Sequence, residues 1–318
     1  MKKLFKLIFL LLIIAGIFFV YSNFSQEPIS TETVDRLNKI PDNIKKITPE
    51  NDIYPPIMHS NEFEAPMPVP GPINTPGAED SPFIMPDGNT FYFWFTPDPN
   101  VPAQEQLTDG VTSIYASKKS GGIWQEPKKI ILQEKGKVAL DGCEFVLDNE
   151  IYYCSAREGI VGMKWFKSEK KGNGWTVGVY DEKISNLVEG ELHISGNTLY
   201  FNSTKLRGSG KNDIFMSEKI NGSWGEPINI SIVNSPEDDT LPYANQTNDE
   251  LWITRTYKGT PAIYRSKKID GEWQSPELIV SQFAGEPTLD NEGNLYFTHH
   301  FFKDNKMLEA DIYVAKKK

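Results

Sequence analysis

The chain predicts an all-β fold assembled from repeated four-stranded units, and three observations carry that prediction. First, Trp124, Trp175, Trp224 and Trp273 recur at spacings of 51, 49 and 49 residues, each closing a similar phrase: SIYASKKSGGIWQEP, KWFKSEKKGNGWTV, DIFMSEKINGSWGEP and AIYRSKKIDGEWQSP. Self-similarity at a fixed period of this length marks an array of supersecondary units. Second, strand-forming clusters occur five times, at Phe91-Tyr92-Phe93, Ile151-Tyr152-Tyr153, Leu199-Tyr200-Phe201, Leu251-Trp252-Ile253 and Leu295-Tyr296-Phe297. Aromatic and β-branched residues favour a pleated, buried strand. Third, 24 Gly and 22 Pro among 318 residues break the chain into short pieces, while 39% hydrophobic residues suffice for a sizeable core.

The elements follow in order. Lys2, Lys3 and Lys6 precede a mostly apolar, uncharged run from Leu7 to Tyr21, so residues 1–22 read as a signal peptide or membrane anchor. With no A-x-A before a cut and no Cys after it, an uncleaved anchor is favoured, its positive end in the cytoplasm and the rest outside. Residues 23–62 are polar and Pro-containing and read as a linker or stalk. From residue 63 each unit passes an acidic residue and a turn, enters the aromatic strand, and continues into a third strand. That third strand falls at Ile114-Tyr115, Trp165-Phe166, Ile214-Phe215, Ile263-Tyr264 and Ile312-Tyr313, and the Trp opens a fourth. Short strands in sets of four, bounded by Gly, Asn and Asp turns, are the blades of a five-bladed β-propeller over residues 63–318.

The fifth unit has no fourth strand of its own after Tyr313. Phe63-Glu64-Ala65-Pro66 followed by Ile73-Asn74-Thr75-Pro76 parallels Trp224-Gly225-Glu226-Pro227 followed by Val233-Asn234-Ser235-Pro236. Residues 63–73 are therefore predicted to be a displaced fourth strand that closes the ring against residues 311–315, removing two exposed sheet edges.

The phrases PINTPGAEDSPFIMPDGNTFYF, NDIFMSEKINGSWGEPINI and GEPTLDNEGNLYF resemble the WD-like propeller repeat of TolB-type periplasmic proteins across residues 63–318. The resemblance implies an exported five-bladed propeller; such propellers host binding, scaffolding and catalysis alike. A formal charge of −10, with 33 basic residues scattered among 43 acidic ones, excludes a nucleic-acid partner. No H-E-x-x-H, Cys-pair cluster or D-x-D-x-D-G loop occurs, so neither a metal site nor a cofactor is expected.

Chemistry is expected at the central channel, where an acid stands at or beside the start of every first strand: Asp80, Glu144, Glu191, Asp239 and Glu286. The pattern resembles that of five-bladed glycosidases, which draw a general base, an orienting acid and a general acid from three successive blades. The resemblance implies those roles for Asp80, Glu144 and Glu191, since glycoside hydrolysis needs one protonated and one ionised carboxyl. Against this, the ends of the second strands supply Arg157, Lys205, Arg207, Arg255, His299 and His300 as ion-pair partners, and repeated charged pairs often serve architecture. The favoured function is extracytoplasmic binding or scaffolding, of a cell-envelope protein or glycan, with Asp239, Glu286, Arg157, Arg255 and His299 as rim contacts. A glycoside hydrolase or lyase using the channel carboxylates of the first strands is the alternative. Two uncompensated carboxylates facing a sugar-sized pocket would favour it; acids each locked to a base would favour a scaffold.

His193 has no nucleophile frame beside it and is expected in the channel or core. The repeated Trp residues and Ser117, Ser168, Ser217 and Ser266 are expected to be architectural. Cys143 and Cys154 flank CEFVLDNEIYYC; a two-residue turn at Asp148-Asn149 puts them opposite one another at about 5.5 Å, within disulfide reach, with a reduced buried pair as the alternative.

Overall fold

The computed structural model describes residues 31–188, 190–206 and 208–318. The targeting segment 1–22, the start of the expected linker and Arg207 lie outside the described residues. Five antiparallel blades follow one another. Their first three strands are Ala78–Ile84, Thr90–Thr96 and Ser113–Ser120 in blade 1, and Ala139–Leu147, Glu150–Arg157 and Lys164–Lys171 in blade 2. Blade 3 uses Leu192–Ser195, Thr198–Ser203 and Asp213–Ile220; blade 4 uses Asp239–Ala244, Glu250–Tyr257 and Thr260–Ile269; blade 5 uses Ala284–Leu289, Leu295–Lys303 and Lys306–Ala315.

The outer edge of each blade explains the repeated phrase. Trp124, Trp175, Trp224 and Trp273 pair with Lys119, Lys170, Lys219 and Lys268 on the third strand. The paired ammonium lies over the indole, 4.5–5.4 Å from the ring centroid, a cation–π contact that needs the basic residue five places before the Trp. Ser117, Ser217 and Ser266 each donate to the carbonyl just after the Trp, at 2.5–2.7 Å. The repeated Trp, Lys and Ser are thus architectural.

The ring closes as the sequence predicts. Met67 and Pro68 pair with Val314 and Tyr313, Phe63 bridges to Lys317, and the Val69 N–H donates to the Ile312 carbonyl. Phe63, only 2% exposed, packs edge-on against Trp252. The Asn of the closing phrase has a defined task. Asn74 accepts from Ile312 N and donates to Ile312 O, as Asn234 does with Ile214, so each amide clamps the third strand at one residue.

Residues 31–62, expected to form a linker, are laid over the propeller as a strap. Glu32 bridges to Lys129, Ile57–Met58 pair with Ser281 and Val280, and Lys46 binds Glu309 and Asp311. Arg36 is 2% exposed and sits among the rings of Phe93, Phe95 and Tyr115. Among the described residues no helix is long and apolar enough to cross a membrane.

The channel is stoppered at one level by a residue from each first strand: Phe83, Phe145, His193, Tyr243 and Thr288. Ring centroids there lie 4.6–6.3 Å apart, leaving a cavity of about 40 Å³. Burial pushes His193 down to about 3, and its Nδ1 accepts from Ala244 N, so it is a neutral core residue. Before this plug the first strands of blades 1, 2, 4 and 5 bulge, skipping from 80 to 83, 142 to 145, 240 to 243 and 285 to 288. Ser81, Cys143, Leu241 and Glu286 take positive φ there. A bulge leaves residues unpaired and re-aims their side chains.

Candidate active site

The five acids named from the sequence do not form one ring. Counted back from the plug residue of each blade, Glu144 stands one place before it, Glu191 and Glu286 two, Asp80 three and Asp239 four. The row four places back is a girdle of buried ion pairs. There Arg255 Nε donates to Asp239 at 2.5 Å, Arg157 lies 3.5 Å from Asp141, and Arg36 donates to Glu79 at 3.0 Å. Thr75 and Ser235 cap Glu79 and Asp239 through their backbone N–H and hydroxyl groups.

Four expected rim contacts therefore have other work. Asp239 and Arg255 are spent on each other, Arg157 is held by Asp141, Ser155, Tyr153 and the Leu132 carbonyl, and His299 is fully buried against Asp52. The second-strand residue at this level is turned inward beside the acid, away from the rim. Glu79 and Asp141 were missed in the sequence, although Thr75-x-x-x-Glu79 matches Ser235-x-x-x-Asp239. The base for Glu79 could not be found by periodicity, because the strap supplies it.

The other four acids gather at the channel mouth: Asp80, Glu144 and Glu286 stand beside or within the bulges of blades 1, 2 and 5, and Glu191 just before the first strand of blade 3. Glu286 accepts from Ser81 N at 2.8 Å and from Thr298 Oγ1 at 2.7 Å, and His300 Nε2 lies 3.6 Å from Asp80. Both carboxyl oxygens of Glu144 are buried without a hydrogen-bond partner, and the residue is 5% exposed. Among the described residues no hydrogen bond or ion pair joins the Glu144 or Glu191 side chain to a base.

These environments drive the carboxyls apart. Burial pushes Glu191 up to about 8, aided by the Asp80 charge. Burial likewise raises Glu144 well above the usual range, with Glu191, Asp80 and Asp141 adding to the rise. Glu286 is raised well above it too, by burial and by the charge of Asp80, to which it donates its proton. Burial opposes ionisation of Asp80 as well, but the hydrogen bond from Glu286 and the charge and hydrogen bond of His300 hold Asp80 below the usual carboxylate range. The mouth therefore sets one carboxyl held below the usual range beside three raised above it, the kind of division that acid–base chemistry uses.

Glycine lets neighbouring side chains close in around them. At the position of Asp80, three places before the plug, blades 2, 3 and 5 carry Gly142, Gly190 and Gly285. A Cβ at Gly190 would lie 2.2 Å from Asn202 Nδ2, and one at Gly142 3.3 Å from Trp94. Beside Glu191 opens a pocket of about 360 Å³ lined by Trp165, Val188, Asn202 and Leu241, within the range of small-molecule sites. Its wall includes the disulfide joining Cys143 and Cys154, with Cα atoms 5.4 Å apart. The turn pairs Leu147 with Glu150 as expected, but the bulge shifts the register, so Cys154 faces Gly142 and Cys143 bridges to it from the bulge. Among the described residues no group of three or more His, Cys, Asp or Glu is disposed to hold a metal ion.

No family model matches the chain, and no curated protein matches it by sequence. Solved structures do. An endo-arabinase from Bacteroides thetaiotaomicron is 16% identical, with 78% of this chain and 96% of that chain covered at a TM-score of 0.49. An α-L-arabinofuranosidase from Podospora anserina is 10% identical, covering 78% and 95% at 0.46. A gluconolactonase from Xanthomonas campestris is 12% identical, covering 83% and 95% at 0.43. The propeller fold itself rests on the blade registers described above.

Proposed function

We propose that the protein is an extracytoplasmic glycoside hydrolase acting on a cell-envelope or environmental polysaccharide. One observation carries this: Asp80, Glu144 and Glu191 come from three blades to one channel mouth, where Asp80 is held below the usual carboxyl range and Glu144 and Glu191 are pushed above it. Asp80 serves as the base that activates water, Glu191 as the acid that protonates the leaving oxygen, and Glu144 as the neutral acid that orients the sugar and tunes Glu191. The disulfide and the TolB-type repeat support an oxidising location outside the cytoplasm, with the N-terminal segment as its membrane tether. The test is release of reducing sugar from a panel of arabinan, xylan, β-glucan and peptidoglycan glycan by wild type, Asp80→Asn and Glu191→Gln. Release by wild type alone supports hydrolysis. Binding without turnover, the role favoured from the sequence, is supported by the small cavity, about 40 Å³, that the plug leaves beside Glu144, Glu191 and Glu286; retention of a polysaccharide with no released sugar would favour it.

A further inference from the structure

A second feature of the mouth face lies between blades 4 and 5. Tyr54 from the strap, Tyr257 from the blade 4 hairpin, and Phe283 and Phe302 from blade 5 line a groove of about 750 Å³. Phe283 and Phe302 stack at 4.7 Å, Tyr54 tilts against Phe283 at 5.5 Å, and Tyr54 is 44% exposed. Phe283 is presented by an unusual backbone: both Gln282 and Phe283 have positive φ, 69° and 55°. This conformation is disfavoured for side chains of their size and is retained only where the surroundings enforce it. The Phe283 carbonyl accepts from His300 N at 2.9 Å, and the His300 ring approaches Asp80. The groove is thus one hydrogen-bonded step from the mouth acids.

We propose that this groove is a subsite for an uncharged oligosaccharide whose reacting end lies at the mouth acids. The inference rests on the glycan-directed reading above and extends it to the length and polarity of the substrate. The C–H faces of sugar rings pack on aromatic faces, whose negative π-surface attracts them, while hydroxyl groups need hydrogen-bonding neighbours. The lining also includes His59, Gln282 and Asn305, with one residue of each charge, Lys258 and Asp304, the Lys258 ammonium lying 5.1 Å from the Tyr257 ring centroid, which suits a neutral polymer over a lipid or a polyanion. At about 750 Å³ the groove holds several sugar rings rather than one. The strap builds one wall, so chain recognition depends on residues outside the repeats.

Affinity electrophoresis in gels cast with soluble arabinan, xylan or mixed-linkage glucan tests this on the full chain. Wild type should be retarded in at least one gel. Tyr54→Ala and Phe302→Ala should each weaken retardation by about tenfold, the loss expected for one aromatic face, with Tyr54→Phe retaining it and melting curves confirming the fold. Tyr180→Ala, an exposed ring on blade 2, is the control and should change nothing. Unchanged retardation in both groove variants, or none in any gel for wild type, overturns the subsite. Hydrolysis with unchanged retardation would remove the subsite and leave the hydrolase; retardation lost in the variants without sugar release by wild type would do the reverse.

Discussion

Arg36→Ala perturbs the one point where the strap enters the girdle of ion pairs. In the native chain the Arg36 guanidinium donates to Glu79, to the Ile73 carbonyl and to the Pro72 carbonyl, and lies over three aromatic rings. Glu79 is fully buried, and burial, with Asp311 adding to the rise against the opposing charge of Arg36, pushes it up to about 7. At about pH 8.5 the substitution would strand a buried carboxylate, a loss of about 3–5 kcal/mol for a broken buried pair. At about pH 5 Glu79 is already neutral, so mainly hydrogen bonds to the carbonyls are lost, about 1–3 kcal/mol. For a domain of this size the alkaline loss corresponds to a fall in Tm of roughly 10 °C. Scanning calorimetry at the two pH values measures both. A loss equal at both pH values, or below about 1 kcal/mol at pH 8.5, would refute the placement of Arg36 as the partner of an ionisable Glu79 and would demote the strap to a loose wrap.

Other outcomes follow from the same structure. Phe63→Ala should cost about 3–5 kcal/mol, because the ring is buried against Trp252 at the closing seam; Met67→Ala, at an exposed position of the same strand, should cost little, and equal melting curves would contradict the closure. Replacing both Cys143 and Cys154 by Ala should cost about 2 kcal/mol, since the bridged residues are only 11 apart, and thiol titration of the unfolded, unreduced native chain should find no reactive thiols. Glu79, Glu191 and Glu309 are raised to about 7, 8 and 8, first by burial. Each contributes stability that is full below the ordinary carboxyl range and is lost as pH rises through those values. Glu62, lowered to about 2 chiefly by its hydrogen bond from Arg265, contributes in the opposite sense, above that range. Tm should therefore be higher near pH 5.5 than near pH 9, and Glu191→Gln should flatten part of that fall.

Period and residue type made the propeller legible. The Trp–Lys spacing reports a cation–π contact repeated in four blades, and the phrase shared by Asn74 and Asn234 reports a backbone clamp that revealed the closing strand. The site was legible by composition but not by depth. Asp80, Glu144, Glu191, Asp239 and Glu286 look equivalent in the sequence, yet they fall on four levels, with a bulge of two residues in the first strand of every blade but the third, and only Asp239 falls in the girdle. The bulge leaves a weak trace, a residue at positive φ that is Ser, Cys, Leu or Glu rather than Gly. The same bulge spoiled the counting that set Cys143 directly opposite Cys154 while leaving them close enough to bond. The strap was illegible for another reason. Arg36, Lys46 and Asp52 lie outside the repeats, in a segment without periodicity, and their partners are far away in sequence.

The division of the mouth carboxyls into one held below the usual range and neighbours raised above it is tested most directly by the pH dependence of sugar release by wild type and Glu191→Gln on whichever polysaccharide the panel selects. Wild type should show an alkaline limb near pH 8, where Glu191 loses its proton, and Glu191→Gln should fall by about 10²–10⁴-fold while remaining folded at the assay temperature. A wild-type rate that is flat through pH 8, or a Glu191→Gln rate close to that of wild type, would contradict the assignment of Glu191 as the acid.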